Sequence, residues 1–274
     1  NIVENGEFAG KTLSETIDKL GKETLGKHAQ RFDRFPILIK LIDAKNDLSV
    51  QVHPDNEYAQ RVENEYGKTE CWYILDCDPG AELIYGFKKE ISNEEFRRRV
   101  EDNTFLDVFN KVKVHKGDLF FIESGTLHAI GKGILLAEIQ QNSNVTYRVY
   151  DYGRLGADGK SRQLHTEKAI AVTHCVPPTR DAKPEGEMEK HDGYTKQLLT
   201  SCDLFTVWNI DVKYNYEAVA DENSFVSLVV ADGSGKIACG EDTMPAKKGD
   251  SFFIPANAGK FSLDGNLQVI ETRV

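Results

Sequence analysis

No stretch of this 274-residue chain approaches the roughly 20 consecutive apolar residues that a bilayer crossing needs, so a membrane span is excluded. No basic-then-apolar leader opens the chain either, and its start at Asn1 in place of Met suggests a missing native segment. Positive charge is in deficit: 34 Lys and Arg against 44 Asp and Glu leave a formal charge of −10. That balance argues against a nucleic-acid partner, which would want a basic stripe. A small anionic substrate stays open, because a few cations inside a cleft set the local field. Cysteine is sparse as well. The five (Cys71, Cys77, Cys175, Cys202 and Cys239) are odd in number, scattered and without a C-x-x-C pair, so reduced thiols in a cytoplasmic protein are expected.

What is present is mostly strand-like. LSETIDKL (13–20) has the spacing of a short helix, then PILIKLIDA and DLSVQVHP read as strands around a turn at Lys45-Asn46-Asp47. Residues 55–65 look helical, and after Gly67 come the strand TECWYILDC and, past Pro79-Gly80, its expected hairpin partner AELIYGF. Ser92 with Glu95 resembles a capping box opening the helix EEFRRRVEDNTFLDVF, 94–109. Strand-like runs KVKVHKGD, DLFFIESG, ILLAEIQQ and VTYRVYDY follow, then a helix at 166–173. A Pro-, Lys- and Glu-rich stretch at 177–193 reads as a linker, and short strands with Gly and Asp turns fill the remainder. Such a pattern predicts a barrel or jelly roll. The expected organisation is a domain at 1–176, the linker at 177–193, and a second domain at 194–274.

Gly117-Asp118-Leu119-Phe120-Phe121-Ile122 returns as Gly249-Asp250-Ser251-Phe252-Phe253-Ile254. Eleven residues beyond each Gly stand His128 and Lys260, the pattern of a duplicated unit in which one copy keeps a metal and the other has lost it. Gln51 and His53, two apart, share one face of a strand; Glu70 lies on the next strand and His128 just past another. Antiparallel neighbours can gather these four groups around one ion, a borderline donor set suited to zinc and tolerant of manganese, iron or cobalt. Singly, each has a plainer account: a lone strand histidine is more often a hydrogen-bonded structural residue, and Glu70 a salt-bridged one. His28, His115, His165, His174 and His191 keep that plainer account.

Gln51-Val52-His53-Pro54-Asp55 followed by Gly67-Lys68-Thr69-Glu70-Cys71-Trp72-Tyr73 resembles the first metal motif of type I phosphomannose isomerases. Gly125-Thr126-Leu127-His128-Ala129-Ile130-Gly131 resembles their second, and Ala137 to Ser143 with Thr146 to Asp151 their catalytic strand in its short bacterial form. The match covers most of 35–175. It implies a mainly β fold of two cupin-type jelly-roll β-barrels with a few short helices, the second a degenerate barrel without metal ligands. It implies a zinc ion held by Gln51, His53, Glu70 and His128, a catalytic Arg148, and Lys68 and Glu138 lining the same pocket. Two departures stand out: the Trp-Gly-Gly strand usual at the family's start is lacking, and Asn144 stands where Asp is more frequent, which puts any carboxylate role there in doubt.

The implied reaction interconverts mannose 6-phosphate and fructose 6-phosphate, moving a proton between C2 and C1 through an enediol-like intermediate. Arg148 would supply a permanent positive charge for enediolate or phosphate. Lys68 would bind phosphate, or carry a proton if burial lowers its pKa. Glu138 would serve as base or orient Arg148. The plainer alternatives are a structural ion pair of Arg148 with Glu138 or Asp151, and a surface position for Lys68. Two other functions remain in view: a metal-dependent cupin oxidoreductase such as a dioxygenase, and a non-catalytic sugar-phosphate-binding cupin. The expected partner is a small sugar phosphate, with no nucleic acid and no membrane, the protein acting as a monomer or homodimer.

Overall fold

A computed structural model describes residues 2–156 and 159–274. In chain order the elements begin with α1 (Leu13–Leu20), β1 (Ile37–Ala44), β2 (Val50–Val52), α2 (Asn56–Glu63), β3 (Glu70–Cys77) and β4 (Glu82–Phe87). Then come α3 (Asn93–Glu101), β5 (Phe109–Lys113), β6 (Leu119–Ile122), β7 (His128–Ala129), β8 (Ile134–Gln141), β9 (Tyr147–Tyr150) and α4 (Thr166–Val172). The C-terminal strands are β10 (Glu189–His191), β11 (Tyr194–Ser201), β12 (Thr206–Val212), β13 (Asn215–Ala220), β14 (Val226–Cys239), β15 (Asp242–Lys247), β16 (Ser251–Ile254) and β17 (Gly259–Arg273). The molecule is mainly β, as the sequence predicts. No helix is long and apolar enough to cross a membrane among the described residues.

Local chemistry accounts for the helix starts. Thr12 and Glu15 form a full capping box on α1, and the Asp55 carboxylate accepts from the Tyr58 amide to open α2. α3 ends at Glu101, short of the expected 109, because Asn103 takes a left-handed conformation (φ 56°) and Phe109 opens β5; at its start only half of the expected box exists. Ser92 accepts from the Glu95 amide at 3.1 Å, but the Glu95 carboxylate turns to Arg99 at 2.8 Å, one helical turn on.

Two compact units emerge: 37–183, and Asn1–Pro36 together with Pro184–Val274. Residues 1–36 thus group with the C-terminal strands, which differs from the 1–176 boundary expected above, and the 177–193 stretch contributes β10. Unit 37–183 holds a four-stranded sheet, β1-β8-β3-β6, and a five-stranded sheet, β5-β4-β7-β2-β9. The C-terminal strands form an eight-stranded sheet. None of these sheets closes on itself, so the two expected barrels are not seen as closed barrels. In unit 37–183 the sheets are joined by side chains, not by a continuous ladder: Trp72, Ile74 and Phe120 from one share a core cluster with Leu83, Tyr85 and Ile130 around the other.

This arrangement also corrects the hairpin expected between β3 and β4. The two strands lie in different sheets, β3 pairing with β6 and β8 while β4 pairs with β5 and β7. β3 is buried at six successive positions, which a two-stranded hairpin could not provide. Phe120, fully buried and edge-on to Tyr85 at 5.5 Å, sits where the two sheets meet. Phe120→Ala is expected to cost about 3–5 kcal/mol of stability by urea unfolding; a loss below about 1 kcal/mol would mean that this core is not the joint described.

The internal echo has a register. Phe120 pairs with Trp72, and Trp72 with Glu138; Phe252 pairs with Leu228, and Leu228 with Glu271. The order β1-β8-β3-β6 is repeated as β12-β17-β14-β16. In the second copy Val226 pairs with Ile254 as Glu70 pairs with Ile122, so valine stands at the carboxylate's place. The strand runs that the sequence breaks at Asp-Gly are continuous: β14 and β17 pass straight through. Their backbones meet at Gly235, where a Cβ would lie 2.2 Å from the Asp264 carbonyl oxygen. Glycine there permits close strand contact and is not a turn signal.

Candidate metal centre

Gln51 lies on β2, His53 just beyond it, Glu70 at the first position of β3 and His128 at the first position of β7, where it pairs with Gln51. The chain is steered there by a tight crossing. A Cβ on Gly67 would fall 2.4 Å from the Asp55 backbone at the start of α2, so only glycine lets the 67–70 segment pass. The Lys68 amide then donates to the Pro54 carbonyl at 3.0 Å.

His53, Glu70 and His128 are buried, with their ligand atoms all within 4.8 Å of one another. Glu70 Oε2 stands 3.6 Å from His53 Nε2, and Oε1 3.6 Å from His128 Nε2. Each ring is held by its other nitrogen: His53 Nδ1 faces the Val145 carbonyl at 2.9 Å, and His128 Nδ1 the Thr126 carbonyl at 2.8 Å. A carbonyl only accepts, so each Nδ1 carries the proton and each Nε2 keeps a lone pair, which on His53 meets the Lys68 ammonium at 3.1 Å. Gln51 completes the group from the side, but with its amide nitrogen, not the expected oxygen, 3.4 Å from His128 Nε2. A half-turn of the amide would present the oxygen instead.

The charges explain what this group is suited to. Glu70 Oε1 is buried and accepts no hydrogen bond; Oε2 has the Lys68 ammonium at 2.8 Å. Burial, reinforced by the Glu138 carboxylate, pushes Glu70 up to about 7 against the pull of Lys68. Burial also holds both imidazoles neutral, His53 well below its ordinary range and His128 at about 4. Two neutral nitrogens and one orphaned carboxylate oxygen converging in a dry site are the donors a divalent cation requires, and its charge would satisfy what the protein leaves unmet. The residues fit a metal.

Lys68 is buried between the two carboxylates, 2.8 Å from Glu70 and 3.9 Å from Glu138. Burial would lower its pKa, but those carboxylates outweigh it and raise it, so the condition for Lys68 as a proton carrier is not met. Glu138 accepts from Lys40 at 2.7 Å and from the Trp72 indole at 3.1 Å. Burial alone would raise Glu138; Lys68, Lys40 and these hydrogen bonds carry it below the usual carboxylate range. Lys40 and Trp72 escape sequence reasoning: each reads as an ordinary strand residue, and only the register that sets both Lys40 and Trp72 opposite Glu138 reveals them.

Arg148 pairs with Gln51 across β9 and β2. The ion pairs considered for it are not made, since Asp151 takes Arg154 and Arg162, and Glu138 takes the two lysines. Its Nη1 donates to the Gln163 carbonyl at 3.1 Å, while its buried Nε has no acceptor. Asn144 is exposed and borders a shallow cavity of about 350 Å³ with Glu63, Tyr147, His165 and Lys168. The second copy contributes nothing to the centre: the metal-competent group among the described residues is the one set of His53, Glu70 and His128.

Residues 1–76 match the family described as phosphomannose isomerase type I, catalytic domain, and residues 194–274 the one described as mannose-6-phosphate isomerase, cupin domain. The chain is 42% identical over 281 residues to the mannose-6-phosphate isomerase ManA of Bacillus subtilis, covering 98% of this chain and 84% of that protein. It is 37% identical to the mannose-6-phosphate isomerase of Streptococcus mutans, covering 98% and 83%. The crystal structure of the mannose 6-phosphate isomerase from Bacillus subtilis superposes with a TM-score of 0.91 at 38% identity, covering 100% of this chain and 85% of that one.

Proposed function

The chain belongs to the type I phosphomannose isomerase family, and from that premise we propose that it interconverts mannose 6-phosphate and fructose 6-phosphate with the aid of a divalent metal. The observation that carries the proposal is the buried Glu70 carboxylate set between two neutral imidazoles, Oε1 toward His128 and Oε2 toward His53, with Lys68 at Oε2. Gln51, His53, Glu70 and His128 would hold the ion; the two imidazoles and single carboxylate favour zinc, with manganese, iron or cobalt admitted by the same donors. When bound, such an ion supplies Lewis-acid charge for the sugar's carbonyl and hydroxyl oxygens.

The chain's own residues supply the remainder. Lys68, kept protonated by its two carboxylates, presents a fixed cation to an anionic substrate. Arg148, with an uncommitted buried Nε, is suited to hold the negative oxygens of the enediolate or the phosphate. Glu138, ionised between two lysines, is the proposed base. Unit 37–183 would be the catalytic domain. Both units are read as cupin jelly rolls, a reading supported by the repeated strand order, with the second copy structural. The acidic charge and the scattered, odd-numbered cysteines favour a cytoplasmic protein, acting as a monomer or homodimer.

Purified protein loaded with zinc should convert mannose 6-phosphate to fructose 6-phosphate in a coupled assay. EDTA should abolish turnover and added zinc restore it. Turnover that survives exhaustive chelation would defeat the metal reading, and bound iron with oxygen uptake would favour the dioxygenase.

A further inference from the structure

β9 is an edge strand: β2 pairs with one side of it, and among the described residues no strand lies on the other. At an edge, backbone groups that face outward need other partners. At Arg148 both are met by a single residue. The Arg148 amide donates to His165 Nδ1 at 3.3 Å, and the His165 amide donates to the Arg148 carbonyl at 2.8 Å. His165 therefore does at one position what a neighbouring strand would do, using its ring nitrogen in place of a carbonyl. Two residues earlier, the Gln163 carbonyl takes the Arg148 guanidinium.

The bracket is itself anchored. The His165 carbonyl accepts from the Ala169 amide in the first turn of α4, and Ala169 and Ile170 are buried in the same core cluster as Tyr147 and Val149 of β9. A packed helix thus grips the strand at the residue that carries the guanidinium.

We propose that His165 is a positioning residue for Arg148: its neutral imidazole closes the outer edge of β9 and thereby fixes the direction in which the guanidinium projects from that strand. This rests on the role proposed above for Arg148. An acceptor at Nδ1 requires the ring to be neutral with its proton on Nε2. Burial, with Arg148 on β9 and Lys168 on α4, lowers the imidazole pKa against the opposing carboxylate of Glu63 on α2, which keeps the ring in that form.

The variants His165→Ala and His165→Asn separate positioning from bulk, since the Asn side-chain oxygen can sit near the place of Nδ1. In zinc-loaded protein H165A should lower kcat about 10- to 100-fold, as expected for a misplaced catalytic group, with zinc content unchanged. H165N should recover to within about threefold of the parent. Hydrogen exchange at the Arg148 amide, read in metal-free protein as well, should accelerate in H165A and stay near parental in H165N. In an Arg148→Ala background, H165A should slow turnover no further, because the effect runs through the missing guanidinium. Equal impairment of H165A and H165N, parental turnover in H165A, or unchanged exchange at the Arg148 amide would each overturn the proposal. Parental turnover in R148A alone would instead remove the role given to Arg148, leaving the exchange result to judge the backbone bracket by itself.

Discussion

Glu70→Gln is expected to strip the protein of its metal and lower turnover about 10³-fold or more, a loss of roughly 4 kcal/mol of transition-state stabilisation. The substitution preserves shape, so the argument is purely one of charge. Glu70 is the anionic member of a set otherwise built from two imidazoles, and it is buried with one oxygen unpaired. A neutral amide there leaves the cation only neutral donors and removes the Lys68 ammonium's closest partner. Loss of even an outer hydrogen-bonding partner of a metal ligand typically costs 10–100-fold in affinity. Removing the charged ligand should exceed that. Elemental analysis after dialysis is the direct check: a Gln variant that retained one ion per chain would mean the ion sits elsewhere or needs no carboxylate.

Arg148→Ala should have the second-largest effect, a fall in kcat of about 10²–10³, the range for deleting one preorganised charge-stabilising donor. Zinc content should stay near that of the parent, because Arg148 is not among the four ligands proposed. The division between kcat and KM identifies what the guanidinium holds. A fall in kcat with KM little changed assigns it to charge that develops during the reaction, whereas a rise in KM alone assigns it to ground-state phosphate binding. The free Nε and the lack of an ion pair with Asp151 or Glu138 favour the former, since a structural arginine would be fully committed. Arg148→Lys should recover little, because an ammonium keeps the charge but loses the planar fork. Full kcat in R148A would end the assignment.

Much of this was legible in the residues. The strands around the site fall where alternation and turn chemistry put them: ILIKLIDA, ECWYILDC and ILLAEIQQ became β1, β3 and β8. The Gly-Asp echo foretold a repeated strand order, because a one-dimensional pattern carries the period of a strand and the identity of its side chains. Three of the four donors expected from strand-like spacing, His53, Glu70 and His128, do lie together. Their roles were sharpened by the motifs around them.

What stayed hidden depends on partners distant along the chain. Lys40 and Trp72 gain meaning only because β1 and β3 flank β8 at Glu138, and His165 only because α4 delivers its ring to the open edge of β9. The pairing of β3 with β8 in place of β4, the protonation of Lys68, and the passage of β14 and β17 through their glycines were likewise decided by packing. Sequence alone determined which chemistry was possible, since donor types and strand periodicity are local properties. The tertiary structure decided which charges are buried together and which backbone edge is left open, since desolvation and register exist only once strands from separate parts of the chain are brought side by side.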